Sequence, residues 1–443
     1  MKIKALILAA IMSGASLFAD AQSIDEKIGK AMNASDWFAL DSIYSSVPKD
    51  SIHPFLEVFS RCLIGNRLNR PEVSIPAFQE LLNTHSTNLD LNNLVSSTYM
   101  FGMDLSRIGE NEAAASLTNS IIDATNQYLD SLTLAGLTAT ANRFAALSVY
   151  KPYQIEFTED CGGAIPFEIV PVGPKDKGAV LMHLQESSIN GEQATITFDT
   201  GAGANIISPE MAEKYRLTPL EATKITVRGI AGRDGYIAIA KELRIGNICV
   251  RDVPFTVVSM SSTNAEADQY IDAFNIVIGS ELMLQFKDVT IDFNKHRITV
   301  PTEAPARSAA RPNLCFSSTM NLLANGAILS TPMQMCIDSG DASFGSLGPK
   351  FFEHHKHYIS AHAKLDTIRE AGIGGVIISE CYKVPDLPVS LGGNTVLPEE
   401  LTVKTDENAV REGYECILGL KTLMLYDEVR FNLVDFVLTT TKK

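Results

Sequence analysis

Hydrophobic and polar positions divide this chain into two differently patterned stretches. From residue 24 to about 150 the apolar positions recur at helical spacing. Trp37-Phe38-Ala39-Leu40 continues to Ile43-Tyr44, and Phe55-Leu56 to Val58-Phe59 and Cys62-Leu63, a period that predicts amphipathic helices. Pro76, ahead of Ala77-Phe78 and Leu81-Leu82, marks an expected helix start, where a missing N–H is no loss. Gly109 and the run Glu110 to Ala115, leading into Leu117 and Ile121-Ile122, read as a turn into the second helix of a hairpin.

Beyond residue 150 the pattern shortens to the strand period. Apolar runs at 165–170, 180–185 and 195–198 are separated by Gly, Pro and Asn, as strands joined by turns would be. Asn190-Gly191 is a hairpin-turn signal between two such runs, and Asn325-Gly326 stands in a similar place further on. Residues 301–313 are rich in Pro and Ala without apolar period and read as a connector. The expected organisation is a helical domain over 22–150, a first β lobe over 151–301 and a second over 302–443. The helical part is loosely similar to tetratricopeptide-type helix pairs, without a clear repeat, and reads equally as a platform for a partner or substrate and as a solvated cap.

The two β stretches carry the same signals in the same order. Asp199-Thr200-Gly201 ends one strand-like run and Asp338-Ser339-Gly340 ends another, 139 residues later. Eighty residues after Asp199, Gly279 closes Val277-Ile278-Gly279; eighty-one after Asp338, Gly419 closes Ile417-Leu418-Gly419. Alternation places Ile196 and Phe198 on one face opposite Thr195, Thr197 and Asp199. Likewise Met333, Met335 and Ile337 oppose Gln334, Cys336 and Asp338. Each Asp is thus expected at the tip of an apolar-backed strand, which fixes it better than a loop would.

Those residue types suit one chemistry. A hydroxyl after Asp can bond neighbouring backbone and stiffen the loop, and the Gly after it permits close backbone approach. Two aspartates brought together cannot both ionise easily and share a proton. One then serves as base toward a water while the other polarises a carbonyl. Neither a metal nor a cofactor is needed.

These residues resemble the pepsin/retropepsin group of aspartic proteases. Phe198-Asp199-Thr200-Gly201-Ala202 with Ile206-Ile207-Ser208 is similar to the group's first active-site loop, and the two hydrophobic-hydrophobic-Gly motifs to the segments passing beneath such loops. The resemblance covers about residues 160–440. It implies a mainly β, bilobal fold of two duplicated retropepsin-like lobes, with Asp199 and Asp338 as the catalytic pair. Thr200, Gly201, Ser339 and Gly340 would support the loops. It also implies flap hairpins, for which Gly229, Ile230 and Gly232 in one lobe and Gly372, Ile373, Gly374 and Gly375 in the other are the candidates. A flap in each lobe makes the chain look like a fused retropepsin dimer. The fourth residue of the second loop, Asp341, departs from the group's usual small residue. A third carboxylate there could raise the pair's pKa values.

Charge and composition narrow the partners. A formal net charge of −15 opposes nucleic acid and anionic membrane surfaces. Lys2 and Lys4, the apolar run Ala5 to Leu17 and Ala19-Asp20-Ala21 have the order of a secretory signal over 1–21, too short to span a bilayer. A periplasmic or secreted protein is therefore expected, with no membrane span after cleavage. Seven scattered cysteines without C-x-x-C form neither a disulfide framework nor a zinc site, although one bridge is possible. His354, His355 and His357, with His362 and Glu353 nearby, do not complete a ligand set and read as a solvated helix face. Trp37, the only tryptophan, reads as core.

The combined expectation is an exported, monomeric endopeptidase acting on peptide or protein substrates. The rival readings are a pseudo-protease that binds peptides without cutting them, and a scaffold acting through its helical domain.

Overall fold

The computed structural model describes residues 23–442 except 160–161, 174–177, 222, 224, 228–232, 261–267, 269–270, 318–319, 373–374 and 407–414. The chain separates into two compact units, Met1–Val149 and Tyr150–Lys443.

The first unit is helical: α1 (Ile24–Asn33), α2 (Trp37–Ser46), α3 (Pro54–Arg67), α4 (Pro71–Thr84), α5 (Leu91–Arg107), α6 (Asn111–Thr125) and α7 (Ser131–Val149). Its starts follow ordinary capping chemistry. Asp36 accepts from the Ala39 N–H and Asp90 from the Asn93 N–H, each satisfying a donor that the helix cannot. Gly109, at φ 89°, takes the left-handed turn between α5 and α6. Leu40, Cys62, Phe78, Leu81 and Phe144 are among its buried core residues, and Trp37 joins them beneath the Arg67 guanidinium. Asp104 is also fully buried and is held by Ser74, Asn66 and Arg107.

Pro76 does not start a helix. Pro71 occupies the first turn of α4, and Pro76 lies inside it. The helix begins earlier because Asn69, at φ 55°, and Arg70 end the preceding turn. Pro76 therefore forgoes a backbone hydrogen bond that tertiary packing of Ala77, Phe78 and Leu81 offsets.

The second unit is mainly β, with a sixteen-stranded and a ten-stranded sheet among the described residues. Residues 301–313 form no regular element and are largely exposed. Asp288–Asp292 pairs antiparallel with Glu428–Asn432, setting Val289 opposite Phe431 and Ile291 opposite Val429. That pairing places strands from before and after the connector in one sheet, and Arg430 grips Asp288 with two bonds at 2.6 and 3.0 Å.

Asn190-Gly191 turns as expected, with both residues at positive φ between Ser187–Ile189 and Glu192–Gln193. Asn325-Gly326 does not. Both lie within the strand Leu322–Ile328, and the hairpin turns at Leu329-Ser330, each at positive φ. Gly326 is there for space: a Cβ on it would meet the Ser390 carbonyl at 2.6 Å, where Val389–Leu391 packs alongside.

Candidate active site

In each half a short strand delivers an aspartate to a loop, and a later strand runs beneath that loop. Ile196–Phe198 pairs in parallel with Ile276–Ile278, which pairs antiparallel with Ile206–Ile207. Thr331–Asp338 pairs in parallel with Cys416–Gly419, which pairs antiparallel with Gly345–Leu347. The glycine closing each hydrophobic motif is where strand and loop come closest. A Cβ on Gly279 would lie 2.4 Å from the Ala204 carbonyl, and one on Gly419 2.3 Å from that of Ser343. No side chain fits in that space.

Around Asp199 the alternation expected along its strand is not a buried face against an open one. Ile196, Thr197 and Phe198 are all buried. The strand is interior on both sides, and Thr197 is accommodated by donating its hydroxyl to the Ala273 carbonyl at 2.7 Å.

Thr200 and Ser339 bind the two loops to each other. Thr200 Oγ1 donates to the Ile337 carbonyl at 2.7 Å and accepts from the Ser339 N–H at 3.1 Å. Ser339 Oγ donates to the Phe198 carbonyl at 2.8 Å and accepts from the Thr200 N–H at 3.0 Å. Both residues are buried, so these four bonds form in a low dielectric where leaving one unmade is expensive.

The crossed bonds set the two carboxylates side by side. Asp199 Oδ1 accepts from the Gly201 and Ala202 N–H groups at 2.8 and 3.1 Å. Asp338 Oδ1 accepts from those of Gly340 and Asp341 at 2.9 and 3.0 Å. Each glycine faces the other loop's acid. A Cβ on Gly201 would lie 2.4 Å from the Asp338 carboxyl carbon, and one on Gly340 2.3 Å from Asp199 Oδ2. The sequence pairs Asp with Gly two residues on because the partner carboxylate occupies the room a side chain would need.

Burial raises both acids above the ordinary carboxylate range. For Asp199 the hydrogen bonds from Asp338 and from the loop amides oppose that rise. Asp338 is pushed well up, first by burial, then by the negative charges of Asp199 and Asp341. The pair titrates as one unit, and the arrangement favours a single proton held between them and resting on Asp338.

Asp341 stands beside the pair without entering it. Its Oδ1 accepts from the Ser343 N–H and hydroxyl at 2.9 and 2.7 Å, closing a tight local turn. Its carbonyl accepts from the Leu420 N–H at 2.8 Å. The carboxylate thus both shapes the second loop and adds charge near Asp338.

Two polar supports were not legible in the sequence. Asn205, fully buried, accepts from the Gly279 N–H and donates to the Pro254 carbonyl and the Tyr153 hydroxyl. Asn321 donates to the Gly201 carbonyl at 2.7 Å, so a residue of the second half holds the first loop. Its counterpart is a main-chain bond from the Val180 N–H to the Ala342 carbonyl at 3.2 Å. Asn205 could have been suspected from its place in the first loop. Nothing near Asn321 signals its role, because its partner lies 120 residues away.

Of the flap candidates, Gly229, Ile230, Gly232, Ile373 and Gly374 lie outside the described residues. Their flanks pair as hairpin arms: Val227 with Arg233, and Gly372 with Gly375. Val376, next to the second tip, packs against the small buried cluster of Met260 and Ile271 in the first half.

The histidine cluster lies on the helix Pro349–His362, which kinks at His355. His355 bonds the Thr331 hydroxyl and His362 the Tyr358 carbonyl. Among the described residues no three His, Cys, Asp or Glu side chains are grouped to hold a metal ion. The described cysteines, 62, 249, 315, 336, 381 and 416, form no disulfide with one another and are buried; Cys161 lies outside the described residues. No described helix is long and apolar enough to cross a membrane.

Comparison with protein families adds one finding. Residues 186–267 match a family model described as "gag-polyprotein putative aspartyl protease". This stretch resembles an aspartyl protease. It contains Asp199, Thr200 and Gly201 and ends before Asp338, so it supports a peptide-bond hydrolase from the first loop alone. No curated protein matches the chain.

Proposed function

We propose that this protein is an aspartic endopeptidase whose β unit consists of two duplicated retropepsin-like lobes, each supplying one carboxylate. The observation that carries the reading is the reciprocal bonding of Thr200 and Ser339, which joins two like loops so that Asp199 and Asp338 face each other. At working pH Asp338 holds the shared proton and Asp199 is the base. A water between them loses its proton to Asp199 and attacks the scissile carbonyl, whose oxygen Asp338 polarises by donating a hydrogen bond. The water is activated without a metal or cofactor. An extended peptide lies across the loops, its main chain bonding as an added strand, beneath the hairpins that carry the glycine-rich tips. The lysine-led apolar N-terminus supports export to the periplasm or beyond.

Asp341 supports a second reading, a peptide-binding protein that does not cut, since a third negative charge beside Asp338 could leave the pair wrongly protonated. Incubating the full chain with a diverse peptide pool and a chelator, then sequencing the products by mass spectrometry, separates the two. Internal cleavage undiminished by the chelator is the expected result. Peptides that are retained by the protein and recovered intact would establish the second reading.

A further inference from the structure

Tyr153 stands four residues past the end of α7 at Val149, among the first residues of the β unit. Its φ is 62°, a region that a bulky residue enters only where its surroundings hold it there. Its N–H donates to the Asp252 carbonyl at 3.4 Å. The neighbouring Gln154 donates its side-chain amide to the Lys151 carbonyl and to Asp252 Oδ2, each at 3.1 Å. The Tyr153 side chain packs against the main hydrophobic core. From Gln154 the chain continues as the strand Gln154–Phe157, antiparallel to Ile248–Val258.

The Tyr153 hydroxyl accepts from Asn205 Nδ2 at 3.1 Å. Asn205 is fully buried, and its amide is fixed in one orientation. The Pro254 carbonyl, 3.2 Å from Nδ2, can only accept, and the Gly279 N–H, 3.2 Å from Oδ1, can only donate. One amide hydrogen is thus spent on Pro254 and the other on Tyr153. Through Gly279 the contact reaches the carboxylate. Ser280, the next residue, donates its N–H and its hydroxyl to the Ala202 carbonyl at 2.8 and 3.0 Å. Ala202 donates its own N–H to Asp199.

The second half meets the same need with backbone. Phe344 stands six residues after Asp338, as Asn205 does after Asp199. Its carbonyl accepts from the Gly419 N–H at 3.1 Å and from the Thr422 hydroxyl at 2.6 Å. The first loop therefore rests on a side-chain amide where the second rests on a carbonyl. That amide is bound to the segment that follows the helical unit.

We propose that Tyr153 is a positioning residue for the reaction: its hydroxyl holds Asn205, and Asn205 holds the strand that crosses beneath Asp199. The proposal rests on the reading of Asp199 as the catalytic base. The segment leaving α7 is by this contact part of the first loop's support, joined to Asp199 by contiguous hydrogen and peptide bonds.

The test is Tyr153→Phe in the full chain, read by amide hydrogen exchange and by peptide cleavage. Phenylalanine keeps the ring and leaves one Asn205 hydrogen buried without its acceptor. Exchange across residues 202–206 and 276–280 should quicken about three- to tenfold. The corresponding residues of the second half, 344–347 and 417–421, should exchange at the wild-type rate. Because the hydroxyl supports the loop and not the peptide, kcat should fall about three- to tenfold with KM within about twofold. Exchange unchanged around the first loop, or raised equally in both halves, overturns the proposal; an equal rise reports a general loss of stability. An unchanged kcat beside quicker local exchange also overturns it, since the hydroxyl would then serve the fold alone. A chain that shows the exchange contrast but never cleaves refutes the endopeptidase reading and upholds the support of the first loop by Tyr153.

Discussion

Thr200 and Ser339 each donate a side-chain hydroxyl to the strand that carries the other's aspartate, and each accepts the other's backbone N–H. Neither half can hold its aspartate in this position alone, because each loop finishes its hydrogen bonding on the other. Thr200→Ala removes one donor and one acceptor and leaves the Ile337 carbonyl and Ser339 N–H buried without them. A loss of about 2–3 kcal/mol is expected from chemical denaturation. Thr200→Ser retains the hydroxyl and should lose no more than about 1 kcal/mol, for the missing methyl.

Gly340 tests how closely the loops meet. A Cβ there falls 2.3 Å from Asp199 Oδ2, and Asp199 is already held by two loop amides. Gly340→Ala should displace the carboxylate and lower peptide cleavage about a hundredfold or more. Activity within a few-fold of wild type would show that the carboxylates have room to separate.

Asp341 sets a prediction in pH. Its charge raises Asp338, after burial and the charge of Asp199, so removing it favours the ionised form and lowers that pKa. Asp341→Asn keeps an oxygen for the Ser343 turn and should move the alkaline limb of the cleavage profile toward acid. A limb that stays in place would leave Asp341 with the loop alone.

Asp338 also sets a prediction for stability, opposite in sign to that of a carboxylate held ionised by a salt bridge. Its folded pKa lies above the unfolded value, so the folded state binds the proton more tightly. The stability this confers is full below about pH 4 and is lost as pH rises through the folded value. Asp338→Asn should therefore raise the melting temperature at neutral pH while leaving it nearly unchanged at pH 3.

Within the helical unit, Asp104 is buried with Ser74, Asn66 and Arg107 bonded to its oxygens. Asp104→Ala leaves the Arg107 guanidinium without that carboxylate in the interior and should cost about 3–5 kcal/mol by thermal or chemical melting.

The parts of this molecule that the sequence made legible are those whose chemistry is local. Asp-Thr-Gly and Asp-Ser-Gly declare a carboxylate, a hydroxyl and an absent Cβ within three residues, and Val277-Ile278-Gly279 declares a buried strand ending in a close approach. Asn190-Gly191 adopts the positive φ values its composition favours. Where long-range packing decides, the local signal fails. Asn325-Gly326 has the same dipeptide, yet it is straightened into a strand by Met335 and Ser390 on either side. Pro76 is carried inside a helix by the burial of Phe78 and Leu81. Thr197 shares an interior strand with two hydrophobic neighbours, which a polar residue in an alternating run does not suggest. Asn321 reaches across 120 residues to Gly201, and a single sequence has no means of showing that.

The most direct test of the account is peptide cleavage by the full chain beside Asp199→Asn and Asp338→Asn, each shown to be folded, from pH 3 to 7.5. Two carboxylates sharing one proton predict cleavage by wild type that falls as pH rises past the raised pKa of the pair, and no cleavage by either variant at any pH. Turnover that persists in a folded Asp199→Asn or Asp338→Asn protein would contradict the paired-aspartate mechanism.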